Sequence, residues 1–215
     1  MNAITFWTAN HVAGTMLVLS VASGLGAYQY MLVRDKNGPI IFGQPPREWL
    51  RLVHEHPRPW RVATISFICA ALGTTLGLAL LALSLRDAGD PGFSAAGILA
   101  FAFGAVLWII VLAARLSIDP WAGKVLAARG DVPDLYEPIS RWNGVLFIIF
   151  TILAFGGVTA FGGAILATSL LPHWLGWATI VYSVLGLALL AITRDSLPIM
   201  HHTTPLVMGI LLLLA

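Results

Sequence analysis

Apolar residues run along this chain in long stretches, and every charged residue falls in the polar breaks between them. A helix needs about 20 mostly apolar residues to cross the hydrocarbon core of a bilayer. Six stretches qualify: Phe6–Val33, Val62–Leu85, Phe93–Ala114, Val145–Leu170, Leu175–Ile192 and Leu197–Ala215. The pattern predicts an all-α fold, a polytopic transmembrane bundle of six spans forming one domain over residues 1–215. No Lys or Arg stands in "MNAITFW", and the first span is too long for a signal-peptide core, so it is expected to stay as a helix. The fifth span is the shortest, and Pro205 interrupts the sixth.

Two of the polar breaks carry a pattern of their own. In "PPREWLRLVHEH" Pro46 suits a first helical position, Trp49, Val53 and His56 recur at helical spacing, and Arg47, Arg51 and Glu55 fall on another face. In "DPWAGKVLAARGD" Asp119 is a good N-cap before Pro120, Trp121 and Val125 share a face, and Gly130 is a natural stop. Both segments are expected to be short amphipathic helices in cytoplasmic loops, lying in the headgroup layer with Trp at the boundary and Arg toward lipid phosphates.

Composition agrees with a membrane solvent. Of 215 residues 58% are hydrophobic and 10% charged, against roughly 25% charged in an average soluble domain. The net charge of +2 lacks the concentrated basic surface that nucleic acid requires, so membrane lipids are the expected surroundings and nucleic acid is not a partner. The single cysteine, Cys69, excludes an intramolecular disulfide.

Lys and Arg set the orientation, because cytoplasmic loops hold the positive excess. The first and third connections carry Arg34, Lys36, Arg47, Arg51, Arg58, Arg61, Arg115, Lys124, Arg129 and Arg141, and the fifth carries Arg194. Only Arg86 lies on the other side, an eleven-to-one division of the 12 basic residues. Both termini are therefore expected outside a bacterial-type inner (cytoplasmic) membrane.

The second to fifth spans contain no Asp, Glu, Lys, Arg or His, which disfavours an ion-coupled transport mechanism. Small residues recur instead at intervals of four, as in Gly73 with Gly77, Ser20 with Gly24, and Ala96, Ala100 and Gly104. Such GxxxG-like rows let helix backbones approach closely, within the chain, in self-association or against other membrane subunits. The Gly pairs at 156–157 and 162–163 are six residues apart, roughly 240° around a helix, so they face different neighbours.

Six histidines supply the remaining candidate chemistry. His11 lies near the outer end of the first span, while His201 and His202 lie one turn inside the inner end of the sixth. His11, His201 and His202 are the candidate cofactor-binding residues, for a haem or a pigment, although depth forbids His11 from sharing one ring with the other two. The favoured reading of the His201/His202 pair is nevertheless an interfacial position, satisfied by water at a first turn loosened by Pro205. No metal signature and no hydrolase, P-loop or dinucleotide motif occurs, so no catalytic residue is assigned.

The stretches "HVAGTMLVLSVASGLGA" and "LPHWLGWATIVYSVLGLALL" resemble the opening span and the LPxWLGW loop of a bacterial six-helix membrane family of unassigned activity. That resemblance implies a six-helix membrane fold and no particular reaction. The sequence thus leads to a multi-pass, non-enzymatic accessory or structural subunit of a membrane assembly. Its alternatives are a haem- or pigment-binding electron-transfer subunit and a facilitator of a neutral or lipid-like solute.

Overall fold

A computed structural model describes residues 9–32, 45–194, 196–197 and 199–214. The described residues form seven helices in chain order: α1 (Ala9–Leu32), α2 (Pro46–Glu55), α3 (Pro57–Asp87), α4 (Phe93–Arg129), α5 (Tyr136–Ala167), α6 (His173–Thr193) and α7 (Met200–Leu214). Four of them, α3 to α6, are long and apolar enough to cross a membrane, and α1 and α7 contribute shorter apolar stretches. Phe6, Val33 and Ala215, which end expected spans, lie outside the described residues, as do Arg34 and Lys36.

Neighbours in sequence are neighbours in space. Helix α1 packs on α3, α3 on α4, α4 on α5 and α5 on α6, while α7 returns to close against α1 and also touches α3, α5 and α6. Three of the tightest crossings are made backbone to backbone at paired glycines. A Cβ added to Gly157 would stand 2.6 Å from the Gly97 carbonyl oxygen, and one added to Gly97 2.8 Å from that of Gly157. The same reciprocity joins Gly162 to Gly176 (2.8 and 2.9 Å) and Gly14 to Gly209 (2.8 and 2.9 Å). Gly157 meets α4 and Gly162 meets α6, but Gly163 meets Phe93 of α4 and Gly156 meets nothing within 4 Å, so the two glycine pairs of α5 do not divide cleanly between neighbours as expected. On α3, Gly73 abuts Ser20 and Gly77 abuts Leu17, both on α1.

Helix boundaries have local causes. His56 breaks α2 from α3 with φ −126° and ψ 56°, because the ring of Pro57 excludes the residue before it from helical geometry. Between α3 and α4, Asp90 caps the new helix: its carboxylate accepts from the Phe93 and Ser94 backbone N–H groups at 3.1 and 2.8 Å and from the Ser94 hydroxyl at 2.6 Å. Gly130 stops α4 in left-handed geometry, φ 81°, and its carbonyl accepts a hydrogen bond from the Arg47 guanidinium.

Two expectations need correction. The segment from Asp119 to Gly130 is not a separate interfacial helix, because α4 continues through Pro120 to Arg129 without a break. Its 37 residues extend about 55 Å, well past the ~30 Å hydrocarbon core. Asp119 is accordingly no N-cap but a buried side chain. The α2 segment is a helix with the expected faces, yet its apolar face packs on protein rather than on headgroups: Trp49, Leu50, Leu52 and Val53 are buried. Gly123 explains the fit, for the Leu50 carbonyl oxygen sits 2.8 Å from where its Cβ would be.

Candidate functional site

Where α2 crosses α4, charged and aromatic groups converge. Asp119, 3% exposed, accepts a hydrogen bond from the Trp49 indole Nε1–H at 3.0 Å and one from the Tyr136 hydroxyl at 3.3 Å. One turn earlier on α4, the Arg115 guanidinium carbon lies 5.6 Å from the ring centroid of Trp49 and 5.7 Å from that of Trp108. Both distances are within reach of cation–π attraction. Trp60 stands edge-on to Trp49, with centroids 4.6 Å apart, and its indole N–H donates to the Arg115 carbonyl at 3.1 Å. Buried polar groups are nearly always hydrogen-bonded. Here α2, the starts of α3 and α5 and the extension of α4 each supply a partner.

A cavity of about 410 Å³ opens beside this cluster. Its walls combine Trp49, Trp108, Tyr136, Phe147 and Ile148 with Arg115, Asp119, Ser140, Asn143, Arg194 and Ser196. The Oδ1 atom of Asn143 is shielded from solvent and has no hydrogen-bond partner among the described residues. Gly144 also lines the space, and a Cβ placed on it would meet nothing within 4 Å. Arg194 enters from the end of α6 in left-handed geometry, φ 57°, the one such non-glycine position among the described residues. That conformation is disfavoured for a residue with a Cβ. Gly130 fills the corresponding position at the end of α4.

The candidate histidines lie elsewhere. His201 and His202 are 1% and 3% exposed, which corrects the interfacial placement: α7 sits in a seam of the bundle, so its first turn points into protein. Being successive on a helix they turn to different neighbours. His202 Nδ1 is 2.9 Å from the Thr74 hydroxyl, which in turn lies 3.4 Å from that of Ser20, and this chain joins α7, α3 and α1. His201 packs among aromatic rings, with the centroids of Phe150 and Phe155 both 4.7 Å away. Rings that close are in contact, and no flat cofactor fits between them.

His11 is not brought to the pair. Gly14 packs on Gly209, seven residues beyond His202 and thus about 10 Å further along α7, and His11 is nearly a turn more distant. None of the three lines the cavity described above. Thr74 and His202 have the spacing of a nucleophile and its base, but they too are buried away from it. Among the described residues no three His, Cys, Asp or Glu side chains are placed to hold a metal ion.

The cavity was not visible in the sequence. Its parts come from α2, α4, α5 and the connection that follows α6, and Trp49 and Asp119 are 70 residues apart. The available signal was Asp119 itself, the one acid of α4, which its suitability as an N-cap explained away. No protein-family model, no characterised protein and no solved structure matches this chain.

Proposed function

We propose that this chain is a six-span protein of the cytoplasmic membrane, with both termini outside, which binds a lipid-like molecule in the cavity beside Arg115 rather than catalysing a reaction. The observation that carries this reading is the cavity's make-up: an aromatic and aliphatic wall next to a cluster of polar groups, at the end of the bundle. An amphiphile needs both surfaces in one place.

Exposed aromatics support the depth of that site. Phe93, Trp174 and Trp177 are exposed toward one end of the bundle, Trp121 and Trp142 toward the other. Along α4, Phe93 and Trp121 are about 42 Å apart, the ~40–45 Å between the two headgroup layers, where Trp and its relatives concentrate. The cavity then lies at the inner boundary.

A photoreactive diazirine derivative of dodecanol tests the reading. In the wild-type protein it should label peptides containing residues 140–148. In Gly144→Leu, whose new side chain enters open space, that labelling should be lost while the melting temperature holds. Equal labelling of both proteins, or labelling spread evenly over lipid-facing helices, overturns the proposal.

A second reading, an accessory subunit of a larger assembly, is favoured by one face of α5. Val145, Ile149, Ile152 and Gly156 form an exposed stripe, and nothing lies within 4 Å of a Cβ at Gly156. Cysteine at Ile152 should cross-link to a second membrane protein in native membranes if that face is covered, and to none if it faces lipid.

A further inference from the structure

We infer that the amphiphile held beside Arg115 is an anion, whose charged head is read by Arg194; this rests on the binding role proposed above. The walls of the cavity are unevenly supplied with charge. Asp119, the acid among them, is already committed to Trp49 and Tyr136 and lies one helical turn from Arg115. Arg194 makes no ion pair or hydrogen bond through its guanidinium among the described residues, and it lines the cavity while its side chain remains exposed. The surplus charge offered to a ligand is therefore positive.

The backbone supports the same residue. Arg194 ends α6 in left-handed geometry, with its N–H bonded to the Leu190 carbonyl at 2.8 Å, a position that glycine fills at no steric cost. An arginine there is disfavoured by its own backbone and is explained by what its side chain does. A guanidinium presents paired donors suited to a carboxylate or a phosphate. Behind it, Phe147 and Ile148 supply an apolar surface for a chain, and the shielded Asn143 lies on the same helix.

Equilibrium dialysis against the full chain in nanodiscs of zwitterionic lipid, with empty discs subtracted, tests the charge preference. The probes are dodecanoate, dodecyl phosphate, dodecanol, dodecyltrimethylammonium and inorganic phosphate. Both anionic amphiphiles should bind about tenfold or more tightly than dodecanol, the scale of one charge-assisted hydrogen bond, and the cationic one should bind least. Inorganic phosphate separates a lipid head from a free ion: binding as tight as that of dodecyl phosphate would overturn the amphiphile in favour of a soluble anion.

Arg194→Gly relieves the strained backbone, so it should melt no lower than wild type while losing the preference for anions over dodecanol. If it keeps that preference, Arg194 is not the reader. Equal binding of dodecanol and the anions overturns this inference and leaves the amphiphile site standing. Absence of binding by all four dodecyl probes defeats the site itself.

Discussion

The indole N–H of Trp49 donates to the carboxylate of Asp119 across 3.0 Å, and through that bond α2 is fastened to the part of α4 that overruns the bilayer. Trp49→Phe keeps the ring but removes the donor, leaving a buried carboxylate with one partner fewer. A loss of about 1–3 kcal/mol is expected, read as a lower melting temperature. Asp119→Asn still accepts from Trp49 and Tyr136 and should cost less, so the order of the two variants checks the bond.

The paired glycines make a sharper comparison. Gly157→Ala drives a Cβ to 2.6 Å from the Gly97 carbonyl oxygen, whereas Gly156→Ala meets nothing within 4 Å. Overpacking of this kind costs about 1–3 kcal/mol. Thermal unfolding in detergent should therefore separate two alanine variants of adjacent residues, with Gly156→Ala indistinguishable from wild type. Gly73→Leu and Gly77→Leu, pressed on Ser20 and Leu17, should behave like Gly157→Ala.

Asp90 gives the expected pH dependence. Burial pushes its carboxyl up, but hydrogen bonds from the Ser94 hydroxyl and from the Ser94, Gly92 and Phe93 backbone together outweigh that, and the result lies below the ordinary 3.8. A depressed carboxyl stabilises the fold fully above its unfolded value, and the contribution is lost as pH falls through the folded one. The melting-temperature advantage of wild type over Asp90→Asn should be constant above about pH 5 and shrink below 3.8. An advantage that persists unchanged into acid would mean that the cap does not depend on the charge.

Thr74 and His202 should be energetically coupled. Thr74→Val and His202→Phe each break the 2.9 Å contact between α3 and α7, so a double-mutant cycle should give a non-additive interaction of about 0.5–3 kcal/mol. Additivity would assign both costs to packing alone.

Topology is checked by labelling. In a Cys69→Ser background, cysteine at exposed Asp131 should react only once the inner face is opened, and cysteine at exposed Ala88 should react from outside. The reverse pattern would invert the eleven-to-one argument.

The spans were legible because lipid imposes a demand on every residue in turn, and runs such as Val62–Leu85 answer it locally. The α2 helix was legible for a similar reason: Pro46 at its start and Arg47, Arg51 and Glu55 on one face are local signals. What the opposite face would touch was not. Trp49 suits a headgroup layer as well as it suits Asp119, and only three-dimensional packing distinguishes them. The same limit applies at Pro120. A proline preceded by an acid starts helices more often than it interrupts them, but here Asp119 is held by Trp49 and Tyr136, and α2 lies along the turns that follow. His201 and His202 were placed by the cost of burying imidazole, which the Thr74 hydroxyl offsets for His202 from 128 positions away.

Six glycines, at 14, 97, 157, 162, 176 and 209, bring the main chains of three pairs of helices into contact. This divides the chain's freedom to vary over evolutionary time. Leucines exposed to the surrounding lipid, such as Leu72, Leu76 and Leu99, can drift to any residue of similar polarity. At these six positions drift has nowhere to go, since even one methyl on either partner meets the other's carbonyl. Homologues of this protein should be recognised first by three pairs of immovable glycines, in a background whose other letters have largely changed.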